Sequence, residues 1–245
     1  MLDYLDALTN SRSLEEVWRL HCATMKDYGF DRLFYGFTRF KTENSLGSMD
    51  DAILLSNHAP AYFRRFIDEE LYLHAPMTRW ATQNTGACSW SWMAQHESEL
   101  TDKQRAVLAF NRQMGVLAGY SISFSVASSR ARGIISLTAR PGLSQTEVDQ
   151  LWAEHGRTIE VLNNIAHLKI ISLPQITERP RLSHRQREVL EWVGDGKTNQ
   201  DIATILGVRP ATVEKHLRLA REKLDVETTA QAVLKASFLN QMFVL

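Results

Sequence analysis

Residues 206–212 read Leu-Gly-Val-Arg-Pro-Ala-Thr, and this short stretch constrains the fold more than any other. Glycine closes a helix in the left-handed region without a Cβ clash. Proline opens one at the position where its missing N–H costs nothing. One helix therefore stops at Gly207 and another starts at Pro210. Upstream, Ile202, Ala203 and Leu206 give a short helix its inward face, with Asn199 placed to cap it. Downstream, Val213, Leu217, Ala220 and Leu224 repeat at helical spacing. Two short helices joined by a tight glycine turn form a helix-turn-helix.

The flanking sequence completes a small all-α domain. Ser183-His-Arg-Gln186 is a capping box, Val189, Leu190 and Val193 form an apolar stripe, and Gly196 ends that helix. A last helix is expected over 229–240. In a helix-turn-helix the second helix lies in the DNA major groove, with its N-terminal residues at base edges. Glu214, Lys215 and Arg218 are then the candidates for base contacts, since Arg or Lys donates to guanine and Glu accepts from cytosine. Thr212, Arg221 and Lys223 suit phosphates. A merely solvated charged face is the alternative reading of this helix. The glycine turn, the proline and the preceding short helix weigh against it.

Residues 1–171 follow another pattern. Ser13-Leu-Glu-Glu16 opens a helix that should end at Gly29. Residues 32–40 place Leu33, Tyr35 and Phe37 on one face of a strand, and 52–55 is a weaker strand. Residues 58–83 read as helical, and 87–92 as a strand with Trp90 and Trp92 on the same side. Thr101-Asp-Lys-Gln104 caps a helix running to Gly115. Residues 120–126 alternate strictly, Ile122, Phe124 and Val126 against serines. After a turn, 133–139 pairs back as a hairpin. A long amphipathic helix spans 145–171. Residues 172–182 hold two prolines and read as a linker before the DNA-binding domain at 183–245. The expected fold class is an α/β/α sandwich with an antiparallel sheet, plus a small all-α helix-turn-helix domain.

Charge and composition narrow the function. The chain has 28 basic and 28 acidic residues, a balance that on its face argues against nucleic acid. The sum hides two halves: residues 174–245 carry 11 basic and 9 acidic side chains, and the remainder 17 and 19. Of 22 aromatic residues, 19 lie in residues 1–173, enough for a large core or an apolar ligand pocket. Collagen-like, coiled-coil and disordered classes do not fit a chain 44% hydrophobic and 23% charged. Cys22 and Cys88 make no disulfide framework and no zinc motif, so free thiols and no metal are expected. The first ten residues carry acids instead of a basic segment, and no apolar run suits a bilayer span, so a cytoplasmic protein without membrane attachment is expected. No GxSxG, HExxH or P-loop pattern is present. His21 and Cys22 are adjacent and diverge by about 100° on a helix, so an enzyme is not expected.

The stretch LSHRQREVLEWVGDGKTNQDIATILGVRPATVEKHLRLAREKL closely resembles the LuxR-type (GerE-like) helix-turn-helix, with the family pattern at Glu188, Leu190, Gly196, Ile202, Ala203, Leu206, Val213, His216 and Leu224. The order of elements before it resembles the autoinducer-binding domain of quorum-sensing LuxR receptors. That resemblance implies a small-molecule ligand, an acyl-homoserine lactone, enclosed between sheet and helices, and no other cofactor. The family's Trp-x3-Tyr pair falls on Tyr62 and Phe66, and its Asp-Pro pair on Ala75 and Pro76. Trp90 and Gly119 match a later aromatic residue and glycine. Phe66 thus lacks the family's hydroxyl, and Ala75 its carboxylate.

Three readings stay open: a lactone held by other groups such as His74, Ser136, Thr138 or Asp68; a different small apolar molecule; or a pocket filled by its own aromatic side chains. Tyr35 and Phe37 complete the candidate lining. The partners expected are double-stranded DNA, a small-molecule signal and a second copy of the chain. The homodimer would form through 145–171 and then 229–240. Pairing with a different receptor is the alternative.

Overall fold

Strands form where the sequence alternates at period two, and their register sorts side chains onto two unlike faces. The computed structural model describes residues 1–42, 45–125, 128–174 and 181–242. These divide into two units, Met1–Gly47 with Ala52–Ile170, and Ser48–Asp51 with Ile171–Leu245.

The first unit runs α1 (Leu2–Asn10), α2 (Leu14–Asp27), β1 (Phe30–Thr38), β2 (Ile53–Ser56), α3 (Pro60–Asp68), α4 (Leu71–His74) and α5 (Pro76–Gln83). It continues through β3 (Gly86–Ser89), α6 (Ser91–Gln95), α7 (Asp102–Gln113), β4 (Gly119–Ser123), β5 (Arg132–Ala139) and α8 (Gln145–Ser172). The strands make one antiparallel sheet in the order β2-β1-β5-β4-β3. Phe34, Ser136, Ser121 and Cys88 pair across it on one face, and Tyr35, Ile135, Ile122 and Ala87 on the other.

The second of these faces is closed by α2 and α8. Tyr35 Oη lies 2.8 Å from His167 Nδ1, the His167 ring stacks on Phe124 at 4.1 Å, and Tyr120 stacks on Trp152 at 3.9 Å. Beneath the helices, Tyr4 Oη meets His21 Nδ1 at 2.7 Å and His21 Nε2 meets Asn163 Oδ1 at 2.9 Å. This buried chain ties α1, α2 and α8 together. Each polar group in it has a partner, as burial demands.

Several elements differ from the sequence reading for local reasons. α1 is not foreseen there. Residues 58–83 form three helices because Glu70 adopts φ 53° between α3 and α4, and Pro76 starts α5 afresh. The strand expected over 87–92 stops at Ser89, whose Oγ accepts from the Ser91 N–H and turns the chain into α6. Trp92 therefore leaves Trp90's side and stacks on His96 at 4.2 Å. Ser13 caps α2 through the Glu16 N–H, but the Glu16 carboxylate accepts from Arg12 and not from Ser13. Val126 lies outside the described residues.

The second unit holds α9 (His184–Gly194), α10 (Asn199–Leu206), α11 (Pro210–Leu224) and α12 (Thr229–Phe238). Thr198, not Asn199, caps α10, in a reciprocal pair with Asp201. Gly207 closes it at φ 64°, and Pro210 opens α11. Val189, Leu190, Ile202, Val213, Leu217, Ala220 and Leu224 are buried together with Ala232 and Ala236. Ser48–Asp51 also belongs here, and Asp51 pairs with Lys235 Nζ at 2.8 Å. Of the expected linker, residues 175–180 lie outside the described residues.

Candidate functional site

β1 and β5 have strand neighbours on both sides, so covered faces would leave their side chains uniformly buried. Leu33, Tyr35, Ile135 and Leu137 are buried, but Phe34, Gly36, Ile134 and Ser136, which point the other way, are only half-buried. This face is rich in small residues, the glycines Gly36 and Gly119 and the hydroxyl-bearing Ser121, Ser123, Ser136 and Thr138. A Cβ on Gly36 would meet only Leu54 at 3.7 Å and Ile134 at 4.0 Å, ordinary contact distances that require no neighbour to shift.

An aromatic cluster borders the same face. Tyr62 stacks between His58 at 4.6 Å and Phe66 at 5.5 Å, and also against Phe110 at 5.3 Å. Phe66 meets Phe34 edge-on at 5.2 Å. Ala75, Met77, Trp90, Val107 and Val116 complete its buried part. The Trp90 indole lies over Gly119, where a Cβ would stand 3.0 Å from the ring and 2.1 Å from the Leu137 carbonyl oxygen. Its Nε1 donates to Ser121 Oγ at 3.0 Å, and Ser121 Oγ lies 3.1 Å from Ser136 Oγ. The Tyr62 hydroxyl donates to Asn111 Oδ1 at 3.1 Å, and burial holds that phenol protonated far above its usual range. Burial, aided by the Arg32 charge, lowers His58 to about 4, so it is neutral.

The structure brings together Tyr62, Phe66, Ala75, Trp90, Gly119, Ser136 and Thr138 around this face, with Pro76 buried at the start of α5. It does not bring in Tyr35 and Phe37. Strand parity turns both to the opposite face, against His167. Asp68 is exposed at the end of α3 and does not serve as a carboxylate for the cluster. His58, Asn111, Ser121 and Gly36 are the residues sequence reasoning missed. The alternating serines of residues 119–123 were the available signal.

In the second unit, α11 buries Val213, Leu217, Ala220 and Leu224 and exposes Glu214, Lys215 and Arg218, with Thr212 half-exposed near its start. Glu214 accepts from Asn199 Nδ2 at 3.1 Å and from Arg221 Nη2 at 3.0 Å, while Arg221 also donates to Thr229 Oγ1 at 2.9 Å. Lys223 Nζ donates to the Arg181 carbonyl at 2.9 Å. Arg221 and Lys223, expected at phosphates, are thus engaged within the unit. Among the described residues Arg218 pairs only with the exposed Glu222, a bond of little worth in water and readily exchanged for another acceptor.

The autoinducer binding domain model matches residues 13–170, and that of the bacterial regulatory proteins, luxR family, matches residues 180–236. The transcriptional activator protein AnoR of Acinetobacter nosocomialis is 25% identical over 97% of this chain and 96% of its own. The transcriptional activator protein LuxR of Aliivibrio fischeri is 22% identical over 76% of this chain and 73% of its own. Among solved structures, SdiA of Escherichia coli matches with a TM-score of 0.52 at 16% identity, covering 99% of this chain and 98% of SdiA. SdiA in complex with octanoyl-rac-glycerol gives 0.53 at 17% identity, covering 100% and 96%. No helix among the described residues is long and apolar enough to cross a membrane. With both matches spanning most of the chain in this order, the protein belongs to the LuxR family of quorum-sensing transcriptional regulators, an autoinducer-binding domain ahead of a DNA-binding helix-turn-helix, and is not an enzyme.

Proposed function

We propose that this chain is a ligand-responsive, dimeric, cytoplasmic regulator. A sensor domain at 1–171 binds a small apolar signal, an acyl-homoserine lactone or an analogue, over the half-open sheet face. A linker at 172–182 joins it to the domain at 183–245, which binds operator DNA through α11. The incomplete cover over Phe34, Gly36, Ile134 and Ser136 is the observation that carries the ligand reading. Filling that space completes the packing, so ligand stabilises the folded sensor by mass action.

Gly36→Leu should fold normally yet lose its signal. Mass spectrometry of small molecules released from the purified protein should find a stoichiometric acyl compound in the wild type and at least tenfold less in the variant. Equal occupancy in both would remove the ligand from this face.

The dimer reading rests on α8. Opposite its buried residues Ile159, Leu162, Asn163 and Ala166, the helix exposes Arg157, Val161, Asn164 and Leu168 at alternating spacings of four and three residues. Val161 and Leu168 are 48% and 61% exposed, an apolar seam suited to a second copy of the helix. Leu234, 53% exposed on α12, is the candidate for the second contact. On DNA, selection of bound sequences from a random pool by the full chain should yield a two-fold related site. Arg218→Ala should relax preference at one position of each half-site, by about 1–3 kcal/mol. An asymmetric site would argue against the dimer, and an unchanged preference against Arg218 as a base reader.

A further inference from the structure

The first turn of α8 reaches the edge of the sheet beside Trp90. β3 pairs with β4 as far as Ser89 opposite Tyr120, and the next pair would set Trp90 opposite Gly119. Only half of that pair forms. The Trp90 N–H donates to the Gly119 carbonyl at 3.1 Å. But Trp90 has turned helical, at φ −71° and ψ −7°, and its own carbonyl accepts from the Met93 N–H at 3.1 Å. The Gly119 N–H, in a buried residue, is left without its ladder partner, a costly state for a backbone amide. Gln145, the first residue of α8, takes the vacant place. Its Oε1 accepts from the Gly119 N–H at 2.9 Å, and its Nε2 donates to the Gly119 carbonyl at 3.2 Å. A side-chain amide thus stands where a strand residue would.

The neighbours fix which way that amide points. At one end is a backbone N–H, which only donates. At the other, 2.9 Å from Nε2, is the Asp149 carboxylate, which only accepts. Asp149 also accepts from the Ser89 hydroxyl at 2.7 Å, and Ser89 Oγ accepts from the Ser91 N–H at 3.1 Å. Two residues one turn apart on α8 therefore hold the Ser89–Trp90–Ser91 bend in place. On the other side of that bend the Trp90 indole lies over Gly119 and donates to Ser121 on the half-open face.

Taking that face as the ligand site proposed above, we propose that Gln145, with Asp149 behind it, is a positioning residue for the ligand. It sets where the Trp90 indole stands and acts only through that ring. Strand parity supports the division of labour. Ser89 and Tyr120 point toward α8, while Cys88 and Ser121 point to the open face, so the two α8 side chains work from the far side of the sheet. The same helix carries the Val161 and Leu168 seam, so a single amide joins the aromatic wall of the ligand site to the helix proposed for the dimer.

The test uses the full chain. N-octanoyl-homoserine lactone is the probe in titration calorimetry, and the six indole N–H resonances give a readout that needs no ligand. Gln145→Leu keeps the bulk and removes both hydrogen bonds. It should displace the Trp90 resonance, identified by its loss in Trp90→Phe, and leave that of Trp18 on α2 in place. Gln145→Leu and Trp90→Phe should each weaken the lactone by about tenfold, and the double variant should fall within about twofold of the weaker single one, because both act through one ring. Asp149→Ala, at a half-exposed position, serves where Gln145→Leu does not fold; it should move the same resonance and weaken the lactone by about threefold. Losses that multiply in the double variant overturn the proposal, as does a Trp90 resonance unmoved by the α8 substitutions. A wild type that does not bind the lactone overturns that choice of ligand, and Gln145 then stands or falls on the Trp90 resonance alone.

Discussion

Acidification from neutrality to about pH 5 should cost the N-terminal unit roughly 6 kcal/mol of stability. Three neutral histidines lie inside it, and burial is the main cause that lowers each to about 4: His21 against Tyr4 and Asn163, His58 against Tyr62, and His167 against Tyr35 and Phe124. In the unfolded chain an imidazole titrates near 6.5. Between those two values the unfolded state binds protons that the native state refuses, so stability falls as the pH falls. It is fully present above about 6.5 and levels off below about 4. Each histidine loses about 2 kcal/mol at pH 5 and about 3 near pH 4. Against a total of roughly 5–15 kcal/mol, this is a large share of the stability of a folded unit. Denaturant unfolding at a series of pH values should show an uptake approaching three protons near pH 5. A profile flat down to about pH 4.5 would mean that these imidazoles are solvated in the native state.

The second large effect belongs to a single methyl group. Gly119→Ala sets a Cβ 2.1 Å from the Leu137 carbonyl oxygen and 3.0 Å from the Trp90 ring. The carbonyl belongs to the central strand β5, hydrogen-bonded on both sides, and has nowhere to go. Gly119 is further held by Gln145, which accepts from its N–H at 2.9 Å and donates to its carbonyl at 3.2 Å. The sheet must separate locally or Trp90 must leave, at about 3 kcal/mol or more. The matched control is Gly36→Ala, whose new Cβ meets only ordinary contacts and should cost less than about 0.5 kcal/mol. Melting temperatures should separate the two variants by about 6–10 °C. Similar melting points would show that the sheet yields at Gly119.

The helical half of the molecule was the more readable in sequence, because its signals are local. Gly207, Pro210 and the spacing of Val213, Leu217, Ala220 and Leu224 each act within a few residues, and they specify α10 and α11 almost completely. The sensor half depends on pairings far apart in the chain. Nothing near Tyr35 says whether it meets Ser136 or His167. Only the β1–β5 register decides, and parity sends it to His167. Residues 87–92 failed for the converse reason: a strand-like run was ended by one Ser89–Ser91 bond. The partners of Tyr62 and Trp90, Asn111 and Ser121, lie 49 and 31 residues away and left no trace in local pattern. Zero net charge told least of all, since what matters on α11 is that Lys215 and Arg218 stand exposed while Arg221 and Lys223 are engaged.

Gly36 also bears on how such a protein changes over generations. Any glycine codon becomes an alanine or valine codon by one base change, and at Gly36 the new Cβ meets side chains at ordinary contact distances instead of backbone. The volume over the sheet can therefore shrink in single mutational steps that leave the fold almost untouched. Gly119, in the neighbouring strand but one, has no such freedom. With the ligand on this face as proposed, selection for a narrower signal has an open route at one glycine and a closed one at the other, and drift in what the protein answers to is steered toward β1 before any of the partner side chains need move.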